Sequence, residues 1–244
     1  MLQAYFRALY QRTMRQAYGL AFDSVADALR TGGLVLDCGA SAGGSYERLK
    51  GMIDFDPARY AGIEWSEPLV QESAAKGLNV IQGDLNQPLP FDEGQFGCVF
   101  GLSVLEHLLN GCAFMRECHR VLEERGTLVL LTPNISTLFT IALLLVGKMP
   151  SSGPHPDSNA LVAGEELFKV SDPTRLPDTE SDTPVHRHLV VFSFRVLRRY
   201  LQMIGFREVR GYGFGLYPFP NFMQPVLEKM DPYHCHQMVF VASK

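Results

Sequence analysis

The chain has 244 residues, 46% hydrophobic and 20% charged, which is enough apolar material for one domain with a sizeable core. A formal net charge of -4 and a pI near 6.0 leave no basic excess, so a nucleic-acid partner is not expected. The five cysteines (Cys38, Cys98, Cys112, Cys118 and Cys235) form no CxxC pair, which fits reduced thiols in a cytoplasmic protein rather than a disulfide framework.

Residues 1–31 have apolar positions at helical spacing (Tyr5, Leu9, Tyr10, then Phe22, Val25, Ala26, Leu29) and no signal-like stretch. Gly32 and Gly33 stop this helix. Strands and helices then alternate. LVLDCG, YAGIEW, LNVIQGD, FGCVFGL and GTLVLLTPN read as strands. SYERLKGM, EPLVQESAAKG and the stretch CAFMRECHRVLEE read as helices between them. Short apolar strands alternating with helices predict a parallel sheet covered on both faces.

After Asn134 the rhythm changes. Leu138–Val146 is apolar but too short to span a bilayer. It reads as a core helix, with contact at a membrane surface as the lesser reading. Residues 135–190 include long stretches rich in Pro, Ser and Asp and read as an insert that forms a lid over a substrate. FSFRVLRRYLQMIGF returns to an amphipathic helix with Val196, Leu197, Tyr200, Leu201 and Ile204 on one face. FREVRGYG and HQMVFVASK are the last two strands, with too little helix between them for a crossover, so one should run antiparallel. The fold expected is α/β, Rossmann-like and doubly wound, with a mostly parallel seven-stranded sheet and one antiparallel strand near the C-terminus. No repeat or linker divides residues 1–244, so one domain is expected.

LVLDCGASAGGSYERL, where a strand breaks into glycines and restarts as a helix, can hold one of three ligands. A triphosphate loop needs Gly-Lys-Ser/Thr, and Gly43-Gly44-Ser45 has no lysine. A dinucleotide turn needs G-x-G-x-x-G, and here the middle position is Ser41. The remaining pattern is D-x-G-x-S-x-G from Asp37 to Gly43, followed by acids ending the next two strands, Glu64 and Asp84. Three acids at successive strand ends suit a ligand with an ammonium, a ribose diol and an adenine amine but no phosphate. S-adenosylmethionine (SAM) is such a ligand.

With these motifs the sequence resembles the class I SAM-dependent methyltransferases, in the branch that includes the ubiquinone and menaquinone enzymes. VLDCGASAGG resembles their first motif and GIEWSEPLV their second. GDLNQPLPFDEGQFGCVFGLSVLEHL and HRVLEERGTLVLLTPN follow in step, and the likeness resumes at His186–Val209. Ser41, Gly97 and Glu124-Arg125 depart from the family's usual residues.

The resemblance implies a SAM site. Gly39, Ala40 and Gly43 would let backbone approach the methionine part, with Asp37 organising the turn. Glu64 would accept the ribose hydroxyls. Asp84 would accept the adenine amine and Leu85 would donate from its backbone. Gly101 and Leu102 would receive the ammonium. Trp65 would either stack on adenine or pack in the protein. His107, His186 and His188 are candidate catalytic groups on the acceptor side; the alternative for His107 is a satisfied histidine at a helix start. No metal site is expected: His234-Cys235-His236 would alternate faces in a strand. The implied activity is SAM-dependent methyl transfer to a small molecule or a lipid- or glycan-linked intermediate. The rivals are a non-catalytic SAM-fold binding protein and an RNA or protein methyltransferase; the latter lacks its N-P-P-Y-type motif here.

Overall fold

A computed structural model describes residues 2–150, 152–161 and 187–244. Helix α1 (Leu2–Arg30) buries Leu9, Thr13, Ala17, Ala21, Val25 and Leu29, one residue every fourth position. That stripe lies across the middle of the sheet. Strand β1 (Val35–Cys38) is buried throughout, as a strand covered on both faces must be. There follow α2 (Gly44–Lys50), β2 (Tyr60–Glu64), α3 (Glu67–Ala75), β3 (Val80–Gln82), β4 (Phe96–Leu102), α4 (Gly111–Val121) and β5 (Leu122–Pro133). Then come α5 (Leu138–Leu145), α6 (Phe194–Ile204), β6 (Arg207–Phe214), α7 (Gln224–Met230) and β7 (Gln237–Ser243).

The seven strands are ordered β3-β2-β1-β4-β5-β7-β6. Pairs among β1 to β5 are parallel, and β7 runs antiparallel to both β5 and β6. The seven-residue α7 cannot carry the chain back across the sheet, so β7 returns beside β6 in the opposite direction. Alternate residues feed two cores. Leu128 and Leu130 face α4 and α6 with Phe114, Met115, Leu197 and Leu201. Val129 and Leu131 face α1 and α2 with Ala21, Val25, Tyr46 and Leu49.

Three local expectations are corrected. The helix in CAFMRECHRVLEE ends at Val121, and Leu122 already pairs with Phe96 in β5. Glu123 and Glu124 favour helix by propensity, but sheet pairing of the buried Leu122 overrides that preference. In α6 the buried stripe is Phe194, Leu197 and Leu201, while Val196 faces solvent. Helix α5 is not a core helix: it buries Thr140 and Leu143, whereas Ile141, Leu144, Leu145 and Val146 are exposed, Leu145 by 82%. Of the expected lid, residues 151 and 162–186 lie outside the described residues.

Candidate functional site

Because β1 to β4 are parallel, their C-terminal ends share one rim, and the chain leaves β1 toward β2 on one side while β4 lies on the other. Ligands of open α/β sheets bind at such a switch point. The ladder between β1 and β4 stops at Asp37 and Phe100. Gly101 and Leu102 continue beside β5 with no ladder partner on the β1 side.

The turn after β1 is fixed from several directions. The Gly39 and Ala40 amides donate to the Ile63 carbonyl at 2.8 and 3.0 Å. The Ser41 amide donates to Glu64 Oε2 at 2.9 Å. From α3, Ser73 Oγ and Lys76 Nζ donate to the carbonyls of Ser41 and Ala42. Gly39 and Gly43 have φ of 87° and 83°, and Ser41 has φ 48°. Ser41 therefore sits in the left-handed region where a glycine would be unstrained, and the Glu64 carboxylate helps hold it there. A Cβ on Gly39 would strike the Val104 side chain, so the turn also packs against the segment after β4. The departure at Gly97 has a packing reason: a Cβ there would lie 2.9 Å from Glu123 Oε1 and 3.4 Å from the Gly33 backbone.

Asp37 is only 2% exposed and accepts the Tyr60 hydroxyl at 2.7 Å. Burial pushes its carboxyl up to about 7; bonds from Tyr60 and Ser45 oppose that, and the neighbouring Glu64 adds to it. It lies near the end of β1, just before the turn that begins at Gly39.

Glu64 Oε1 accepts the Ser66 amide at 2.9 Å, so each carboxylate oxygen takes one backbone donor and retains capacity for another. Asp84 Oδ1 accepts both the backbone and the side-chain amide of Asn86, at 2.8 and 2.9 Å. Its Oδ2 has no hydrogen-bond partner among the described residues, and neither has the Leu85 backbone N–H, although the Leu85 side chain is buried. One acceptor and one donor thus stand side by side after β3, the pair that an adenine edge requires. Trp65 is 71% exposed, which removes the packing reading and leaves its face to solvent beside Glu64.

On the other side of the switch point, Leu105–His107 forms a 3-10 turn after β4. Glu106 is 2% exposed and accepts Thr132 Oγ1 at 2.9 Å. Burial pushes its carboxyl up to about 7, against the hydrogen bonds it accepts. The Glu106 carbonyl accepts the Leu189 amide at 2.7 Å, which seats the segment beginning at Arg187 against this turn. The rings of His107 and His188 lie 5.2 Å apart, and those of His188 and His155 lie 4.9 Å apart. Desolvation pushes His188 down to about 4, with the His107, His155 and His236 charges acting in the same direction and the bond to Ser152 opposing. His186 lies outside the described residues.

Sequence reasoning missed several members. Tyr18 of α1 donates to Ser103 Oγ at 3.1 Å, which brings the N-terminal helix to the β4 end of the rim. Thr132 and His155 meet Glu106 and the expected His107 and His188 from separate places in the chain. The adjacent pair Glu106-His107 and the histidines after the insert were the signals in the sequence; Thr132 and His155 had none. His234, Cys235 and His236 do not converge: His234 bonds Asp231 at 2.7 Å, Cys235 Sγ bonds the Asp231 carbonyl, and His236 stacks on Tyr217. His234 lies in a 3-10 turn before β7, not in the strand.

Residues 36–130 match a family model described as a methyltransferase domain. Two Mycobacterium tuberculosis proteins, each named "Probable S-adenosylmethionine-dependent methyltransferase", are 33% identical over 82 residues. That match takes in 34% of this chain and 27% of theirs, so it spans about a quarter of the curated relatives' length. Among solved structures, a SAM-dependent methyltransferase from Thermotoga maritima matches with TM-score 0.52 at 15% identity, covering 99% of both chains. A Haemonchus contortus phosphoethanolamine N-methyltransferase in complex with SAM matches with TM-score 0.56 at 11% identity, over 91% of this chain and 52% of that one. A [4+2]-cyclase matches with TM-score 0.56 at 14% identity, over 91% and 80%. At these identities the structural likeness speaks for the fold.

Proposed function

We propose that this chain, whose residues 36–130 match a methyltransferase-domain family model, binds SAM across the ends of β1 to β4 and transfers its methyl group to an acceptor. The observation that carries this reading is the pairing of Glu64 with Asp84 and Leu85 at adjacent strand ends, each with hydrogen-bonding capacity left over. Glu64 would take the ribose diol, and Asp84 with the Leu85 N–H the adenine edge. Exposed Trp65 would cover the base. Gly39, Ala40 and Gly43 would leave room for the methionine part, and the unpaired β1 side of Gly101 and Leu102 would receive its ammonium.

The reaction is an in-line displacement. An acceptor lone pair attacks the methyl carbon, the carbon–sulfur bond breaks, and its electron pair stays on sulfur, which leaves as a neutral thioether. The chain's task is alignment and exclusion of water. His107 and His188 lie on the acceptor side of the rim, past β4. We assign the acceptor to small molecules or lipid- or glycan-linked intermediates; the exposed apolar residues of α5 support a partly apolar partner.

The test is calorimetry with SAM and with its demethylated product, followed by labelled SAM with fractionated extract. Micromolar-scale binding and label entering one fraction are expected. Absence of binding of either compound would end the reading. Binding without transfer to any fraction would leave a SAM-fold binding protein, the alternative that the cyclase of the same fold keeps in view.

A further inference from the structure

We infer that Glu106, His107 and His188 form a binding site for a divalent transition-metal ion of the zinc class. Each offers one ligand atom, and these atoms lie within 4.8 Å of one another. Tetrahedral bonds of about 2.0–2.1 Å place ligand atoms roughly 3.3 Å apart, a closure that side-chain rotation supplies. Two imidazoles and one carboxylate select a borderline ion such as Zn²⁺ over Mg²⁺ or Ca²⁺, which require mainly oxygen.

The hydrogen bonds around the three side chains are those a metal site needs. His107 Nδ1 lies 3.0 Å from the Arg187 carbonyl, and His188 Nδ1 bonds the Ser152 carbonyl. A carbonyl only accepts, so both Nδ1 atoms carry the proton and both Nε2 atoms present a lone pair. A main-chain carbonyl behind each ligating imidazole is the usual outer support of a metal ligand. Glu106 is likewise oriented from behind by Thr132 at 2.9 Å. Among the described residues no Lys or Arg side chain pairs with this buried carboxylate, although an unpaired buried charge is costly. A divalent cation would supply the ionised carboxylate with a counter-charge.

The ligands are also held in place from the backbone. Glu106 and His107 share one turn, and the Leu189 amide bonds the Glu106 carbonyl at 2.7 Å. The His155 amide bonds the His188 carbonyl at 2.9 Å, and the His188 amide bonds His155 Nδ1 at 3.3 Å. Three protein ligands leave a coordination position for water or for an acceptor atom. The site rests on these side chains and not on methyl transfer, so its failure leaves the SAM reading intact.

The test uses the full chain after chelator treatment and dialysis, titrated with Co²⁺. One equivalent should give a visible d–d spectrum with nitrogen and oxygen ligands, and Zn²⁺ should displace it. His188→Ala should weaken binding by more than the roughly 10–100-fold that loss of an outer hydrogen-bond partner costs. His119→Ala, on α4 and remote from the cluster, should leave it unchanged. Far-UV circular dichroism is read first for each variant. His107→Ala, a partly exposed ring, gives the same comparison if His188→Ala does not fold. No one-to-one spectrum in the parent protein, or binding that survives loss of His107 or His188, would overturn the site.

Discussion

Glu64 Oε2 accepts the Ser41 amide at 2.9 Å, so one carboxylate at the end of β2 holds the non-glycine positive-φ residue of the turn after β1. The proposed ribose ligand is therefore also a brace of the glycine turn. Glu64→Ala removes both roles. Charge-assisted bonds are worth roughly 1.5–3 kcal/mol each, so SAM affinity should fall by about ten- to a hundred-fold. Glu64→Gln retains a carbonyl that can accept one amide and should lose less. Calorimetry on both variants decides; unchanged affinity in Glu64→Ala would place the ribose elsewhere.

Asp84 should act on the other end of the cofactor. Its Oδ1 is occupied by Asn86, and Asn86 in turn receives the Asn110 amide at 2.9 Å. Asp84→Ala thus removes the adenine acceptor and loosens the turn that carries Leu85. Affinity for adenosine should fall roughly ten-fold or more, by about the worth of one charge-assisted bond. Affinity for methionine should change little. Equal losses for the two fragments would argue against an adenine contact.

Much of this rim is legible in the sequence because it depends on local signals. A glycine turn must follow β1, and acids at the ends of β2 and β3 sit at fixed places in a parallel sheet. The antiparallel β7 follows from the short connection before it. What escapes the sequence depends on distant partners. Leu122 is strand and not helix because Phe96 lies beside it. The cluster of Glu106 with Thr132, His155 and His188 has no spacing rule, since its members are joined only by the sheet and by the segment after Arg187. The exposure of Leu144 and Leu145 is equally non-local: the same apolar run would be core if another element covered it.

Cofactor binding should be linked to the protonation of Asp37. Without ligand its carboxyl is pushed up to about 7, chiefly by burial, with Tyr60, Ser45 and Glu64 as its polar neighbours. The cationic sulfonium and ammonium of SAM favour the ionised form, so binding lowers that value and releases a proton below pH 7. Affinity should rise with pH up to about 7, by at most about ten-fold per unit, and then level off. Asp37→Asn should flatten the rise. Calorimetry in buffers of different ionisation enthalpy reads the proton directly; equal proton release by parent and variant would assign it to another group.

His236 should make the fold acid-sensitive. Its ring stacks on Tyr217 at 5.1 Å and meets the Tyr10 ring edge-on at 6.0 Å. Desolvation pushes it down to about 4, and its charge also bears on His188. An unfolded histidine titrates near 6.5, so as pH falls the unfolded chain takes up the proton first. The stabilising contribution of the neutral ring is fully present above about 6.5 and is lost progressively as pH falls toward 4. The full shift would correspond to about 3 kcal/mol; some solvent contact at this residue reduces the expected loss to about 1–2 kcal/mol. His236→Phe retains the stack and removes the proton site. Its urea midpoint should match the parent's dependence on pH above 7 and exceed the parent's increasingly between pH 6.5 and 4. His188, Asp37 and Glu106 titrate in both proteins and largely cancel in that difference. Parallel pH profiles for parent and variant would show that His236 is not the group responsible.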